Sequence, residues 1–98
     1  MLGFAYRETR MSEVPDYPQR DLRRMLVVLA AIDIIDDATL VKIARYTGID
    51  KKTVINLIEK ARTQMGVVIE KADSVYVIKS WGPVIKRAGA RLALTGEL

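Results

Sequence analysis

Residues 40–59 read LVKIARYTGIDKKTVINLIE, and the fold turns on how that stretch divides. Leu40, Ile43 and Ala44 recur at three- and four-residue steps, which places them on one face of a short helix. Gly48, directly after Thr47, tolerates the left-handed backbone in which helices end. Asp50 is then placed to cap a second helix, because a carboxylate there accepts hydrogen bonds from the unpaired amides of the first turn and meets the positive end of the helix dipole. That helix is expected to run through about Gln64 with Val54, Leu57, Ile58 and Ala61 turned inward, and Gly66 closes it.

Working outward, Leu22, Met25, Leu26, Leu29 and Ile32 predict an earlier helix over residues 19–32, with Arg20, Arg23 and Arg24 near its start. Asp33 ends that pattern, the β-branched pair Ile34–Ile35 suits a small strand, and Asp36 or Asp37 is placed to cap the helix that contains Leu40. Downstream, "VVIE" and "VYVIK" read as a hairpin joined by Lys71, Ala72, Asp73 and Ser74, which with Ile34–Ile35 makes a three-stranded sheet. Pro83 suits the first turn of a last helix containing Val84, Ile85, Ala88 and Leu92, which Gly89 weakens. Residues 1–17, with Pro15 near their end, read as a tail leading into the domain, although the alternation of Leu2, Phe4 and Tyr6 also suits a short strand.

The chain of 98 residues sits in the size range of one domain, and 50% apolar with 29% charged residues describes an ordinary globular protein. Histidine and cysteine are both absent, which removes the usual zinc ligands, the thiol nucleophile, every disulfide and the general base of most catalytic triads. Metal-sensing and redox-sensing designs fall away with them, and no cofactor motif stands out. The longest apolar run, Met25 to Ile32, is far short of a membrane span, and the start MLGFAYRETR lacks the apolar segment of a signal peptide, so a cytoplasmic location is expected. The formal charge of +4 is unevenly placed: residues 51–64 carry +3 and residues 81–98 carry +2, while the remainder is close to neutral.

The order helix, small strand, helix, tight turn, helix, hairpin, helix resembles the winged helix-turn-helix superfamily of small bacterial-type transcription regulators. The likeness is carried by residues 40–59. Where that family has a small residue allowing close helix crossing, a turn glycine four positions later and a β-branched apolar residue six further on, this chain has Ala44, Gly48 and Val54. Ile43, Ile49 and Leu57 fall where the family buries side chains between helices. The resemblance extends over residues 19–80 and implies a mostly α fold with a small β-sheet: a three-helix core, a β-hairpin wing and an extra C-terminal helix. The corresponding division is a tail over 1–17, a DNA-binding domain over 18–82 and a C-terminal helix over 83–98 that is a candidate dimerisation element.

The function implied is sequence-specific binding of double-stranded DNA in transcriptional control, with the helix over residues 50–64 in the major groove. With Val54, Leu57 and Ile58 inward, helical geometry turns Lys51, Lys52, Ile55, Asn56 and Glu59 outward. Lysine donates to guanine or neutralises a phosphate, asparagine both donates to and accepts from adenine, Ile55 suits a thymine methyl, and Thr53 suits a phosphate or a base edge. Glu59 repels phosphates unless it accepts from a cytosine amine or pairs with a nearby lysine or arginine. Lys71 of the wing is expected to touch phosphate only weakly, because Glu70 and Asp73 offset it and the minor-groove arginine of the family has no counterpart in the loop. Other side chains have blander readings. Asp33, Asp36 and Asp37 suit helix ends better than a metal site, Trp81 suits packing better than base stacking, and Arg87 with Arg91 suits either a phosphate clamp or a solvated helix face. Pro15-Asp16 with Asp50, Lys51 and Lys52 imitates a nuclease pattern only weakly, and with no paired acid and base, nucleophile arrangement or phosphate loop an enzyme is not expected. A homodimer is expected, because one motif makes few contacts and the apolar face of residues 84–94 has little of the chain left to cover it. The competing reading is a winged-helix module that binds another protein through the same helix, which Ile55, Glu59 and the neutral wing favour.

Overall fold

Eight consecutive apolar residues, Met25 to Ile32, are more than one stripe of a helix can hold, and a helix apolar on every side must be covered on every side. A computed structural model, which describes residues 14–98, is organised around that requirement. Helix α1 (Leu22–Ile34) is followed by α2 (Leu40–Thr47), α3 (Lys51–Met65), strands β1 (Val68–Ala72) and β2 (Val75–Ser80), and α4 (Arg87–Thr95). The fold is therefore mostly helical, with four helices and one antiparallel hairpin among the described residues. None of these helices is long and apolar enough to cross a membrane.

One side of α1 (Met25, Val28, Leu29 and Ile32) joins Ile43 of α2, Val54, Ile58 and Ala61 of α3 and Ile69 of β1 in the larger core. The other side (Val27 and Ala30) meets Ala90, Ala93 and Leu94 of α4 together with Val14 in a second core. Alanines at the crossing let α1 and α4 approach closely, and polar ties fasten α4 to α1 and to the segment before it. The Tyr17 hydroxyl donates to the Ala93 carbonyl at 2.6 Å, and the Asp33 carboxylate accepts from Arg91 at 2.6 Å with Arg87 at 3.4 Å. Trp81 is half-buried and packs on both cores. Leu22, expected on the buried face, is instead 66% exposed at the first turn of α1.

The helix ends follow local chemistry. Asp21 caps α1, its carboxylate accepting from the Arg23 amide at 2.9 Å. Thr39, rather than Asp36 or Asp37, caps α2 by accepting from the Lys42 amide at 3.3 Å, while Asp37 sits in the preceding turn with φ 52°. The expected strand at Ile34–Ile35 is absent, because α1 continues through Ile34 and the Ile35 amide still donates to the Ala31 carbonyl. The third strand shrinks to one bridge between Thr39 and Val75, with the Tyr76 amide donating to the Ala38 carbonyl at 2.9 Å. In the hairpin Ala72 pairs with Val75 and Lys71 with Tyr76, so the loop is Asp73–Ser74 alone and not the four residues expected. Both loop residues have positive φ, 52° and 69°, the backbone that matches the twist of paired strands.

The last helix departs furthest from expectation. Gly82 has φ 77°, and a Cβ placed on it would lie 2.5 Å from the Gly66 carbonyl oxygen, so the chain turns there against the end of α3. Pro83 and Val84 belong to this turn, and α4 starts only at Arg87, after Lys86. Ile85 is buried but outside the helix, whereas Val84, Ala88 and Leu92 are exposed. The buried face is Ala90, Ala93 and Leu94, which α1 of the same chain covers, whereas of the apolar face expected from Val84, Ile85, Ala88 and Leu92 only Ile85 is buried. Residues 14–17, expected to end a tail, contribute Val14 and Tyr17 to the second core; Leu2, Phe4 and Tyr6 lie outside the described residues.

Two glycine substitutions separate these effects. Gly82→Ala should destabilise by about 2 kcal/mol or more, since the left-handed backbone alone costs roughly 1–2 kcal/mol and the added methyl meets backbone. Gly89 lies inside α4 with open space where an added methyl would project, so Gly89→Ala should stabilise by roughly 0.5–1 kcal/mol. Thermal unfolding of the two variants reads this directly, with the midpoint falling for the first and rising for the second.

Candidate nucleic-acid interface

The turn of Gly48, Ile49 and Asp50 sets the position of α3 against α2. Gly48 takes the left-handed conformation that ends α2, with φ 77°. Thr47 is buried, its hydroxyl donating to the Ile43 carbonyl at 2.8 Å and accepting from the Ile49 amide at 3.2 Å. Ile49 is driven into the core, and Asp50 caps α3 from outside, one carboxylate oxygen accepting from the Thr53 amide at 3.1 Å and the other from the Thr53 hydroxyl at 2.7 Å. These hydrogen bonds from Thr53, hydroxyl first and amide second, hold the Asp50 carboxyl below its ordinary range, with the positive charge of Arg24 adding to them.

With Val54, Ile58 and Ala61 buried, α3 stands as a ridge whose outer side no other described segment covers. Lys51, Lys52, Ile55 and Asn56 are all exposed on it, and among the described residues neither lysine forms an ion pair. Thr53 is half-buried and its hydroxyl proton is committed to Asp50, which leaves it an acceptor. Glu59 is held by Arg62 at 3.2 Å, so the one carboxylate on the ridge is neutralised within α3. Lys71 is exposed at the end of β1, its ammonium 5.5 Å from the centre of the Tyr76 ring, and lies across a shallow depression of about 270 Å³ from Ile55, Glu59 and Arg62.

On its opposite flank α3 faces the start of α1 across a cleft of about 320 Å³. Arg20, Arg24 and Gln19 line one wall, with Thr53, Asn56, Lys60 and Gln64 on the other. Asp21 also lines it, but its carboxylate is held in a two-point fork by Arg23 at 2.6 and 2.9 Å, and Arg23 in turn lies over the Tyr17 ring. The sequence alone does not place Arg20 and Arg24 beside Asn56, and Lys60 is not among the contacts expected from it. The spacing from Asn56 to Lys60 is one helical turn on the same face, a signal that was open to reading. The proximity of Arg20 and Arg24 follows from packing and has no local signature.

Arg87 and Arg91, which suited either a phosphate clamp or a solvated face, share the Asp33 carboxylate and fasten α4 to α1 away from this ridge. Asp33 therefore neither caps a helix nor ends one. Comparison with models of known families, with curated proteins and with solved structures returned no match, so what this surface can do rests on its own geometry.

The Arg23 fork has a measurable consequence. It lowers the Asp21 carboxyl from 3.8 to about 2, chiefly through the side-chain hydrogen bond. A depressed folded-state value contributes stability that is present above the unfolded value and lost as pH falls through the folded one. Stability should accordingly decline between about pH 4 and pH 2, and Asp21→Asn, which keeps a capping oxygen but has no titrating charge, should flatten that decline in denaturant melts across the range.

Proposed function

We propose that this chain is a winged helix-turn-helix protein that binds double-stranded DNA sequence-specifically in transcriptional control, with α3 as the helix that enters the major groove. The observation that carries the reading is the uncovered outer side of α3, where Lys51, Lys52 and Asn56 stand exposed with Ile55 between them. The major groove is wide enough for an α-helix and offers a distinct donor and acceptor pattern at each base pair. Lysines at the first turn serve guanine edges or phosphates, Asn56 serves an adenine edge with its donor and acceptor together, and Ile55 offers apolar contact to a thymine methyl. The hairpin acts as the wing and touches phosphate only weakly, since Glu70 and Asp73 offset Lys71.

A protein-docking role for the same helix has one observation in its favour: Ile55 is 46% exposed beside the self-neutralised Glu59–Arg62 pair. The charge balance of α3 weighs against it. Selection of binding sites from random duplexes decides between them, and the symmetry of the selected sites reports whether two copies pair across half-sites about one helical turn apart. Replacing Lys51 and Lys52 together by Ala should weaken binding and reduce the salt slope by about 2, since each neutralised phosphate contributes roughly one unit. Asn56→Ala should instead relax preference at one base position, at a cost of about 1–3 kcal/mol against the preferred base. No retention of any duplex at low salt, with capture of a defined protein partner, would replace the DNA reading by the docking one.

A further inference from the structure

We infer that the phosphate-binding wall of this protein is the start of α1, not the hairpin: Arg20 and Arg24, with Lys60 of α3, take the backbone phosphates of one DNA strand in the cleft beside α3. The inference rests on the reading of α3 as the groove helix and deepens it. A helix with its side chains is about 10–12 Å across and the major groove is about 12 Å wide, so a helix seated there has a phosphate strand along each flank. The two flanks of α3 differ in charge. On the hairpin side Lys71 faces Glu59 with its partner Arg62, and Glu70 and Asp73 lie close in the chain. On the α1 side Arg20, Arg24 and Lys60 line one cleft, and among the described residues none of the three has an ion-pair partner. The one carboxylate in that cleft, Asp21, is already neutralised by Arg23.

Continuity with the reading face is built in, because Asn56 and Thr53 line the cleft as well as the ridge. A strand whose base edge meets Asn56 therefore runs its phosphates into the cleft. Arg20 has φ 73° in the turn closed by the Asp21 amide donating to the Pro18 carbonyl at 3.1 Å, a position at which glycine is the relaxed choice.

The test is fluorescence anisotropy of the full chain with a labelled duplex, titrated with salt, for wild type, Arg20→Ala/Arg24→Ala and Lys71→Ala. Loss of two phosphate contacts should lower the salt slope by about 1.8 and weaken binding about 60-fold at 0.1 M salt, with the ratio of preferred to scrambled duplex unchanged. Lys71→Ala should change affinity no more than about 2–3-fold. Arg20→Gly separates binding from folding: glycine suits the left-handed φ, so its Tm should be close to or above that of wild type while binding weakens about 8-fold. Unchanged slope and affinity in the arginine variants, or a Lys71→Ala loss as large as theirs, overturns the inference while leaving α3 as the reading helix. Absence of duplex binding by the wild type overturns both.

Discussion

The structure depends on α1 being buried from two sides. Val27, Val28, Leu29, Ala30 and Ala31 are each 1% exposed or less, so no single layer of packing accounts for them. Each large apolar side chain so buried contributes about 1.5–3 kcal/mol relative to leaving it in water, a substantial share of the stability of a domain this small. Covering one side requires α2 and α3 to pack as a pair, and covering the other requires α4 to return across α1 with Val14 and Tyr17 closing the end. The outer side of α3 is what this arrangement leaves open. Exposure of Lys51, Lys52 and Asn56 is thus a consequence of where the apolar residues of α1 and α3 must go.

That dependence explains which features were legible. The α2–turn–α3 unit is readable from residues 40–66 with little error because its determinants are local: a capping carboxylate, a left-handed glycine at each end and an apolar stripe at helical spacing. Only the cap of α2 falls elsewhere than expected, since Asp36 and Asp37 offer the same chemistry as Thr39 and the bridge from Thr39 to Val75 makes the choice. For α1 the stripe Leu22, Met25, Leu26, Leu29 and Ile32 points to one buried face, while the uninterrupted run through Val27, Val28, Ala30 and Ala31 carries the information about the second. Reading that run as two faces would have placed α4 against α1.

The start of α4 shows the opposite case, in which a strong local signal is overridden. Pro83 suits the first turn of a helix, yet the approach of Gly82 to the backbone of Gly66 fixes the chain in a turn and delays the helix to Arg87. The side chains that pack inward are then not the ones expected. Val84 and Leu92 move out, Ala90 and Ala93 move in, and the small inner residues suit a close crossing with Ala30 better than the larger ones would. The cationic cleft is illegible for a related reason. Arg20 and Arg24 are separated from Lys60 by most of α1, all of α2 and the first half of α3, so charge summed along the chain divides between two segments what packing brings to one place.

Under the proposed function, the size of the reading face limits what one copy can discriminate. Lys51, Lys52, Ile55 and Asn56 are the ridge side chains placed to reach base edges, and each well-made base contact distinguishes the right base by about 1–3 kcal/mol. Some of the lysine charge goes to phosphate, and the contacts made by Arg20, Arg24, Lys60 and Lys71 carry no base information directly. A single copy therefore sits at the low end of the roughly 4–10 kcal/mol that separates specific from non-specific binding. Strong non-specific attraction with few base contacts is useful when two such surfaces act on one duplex, because the second set of base contacts adds to the first while orientation is shared.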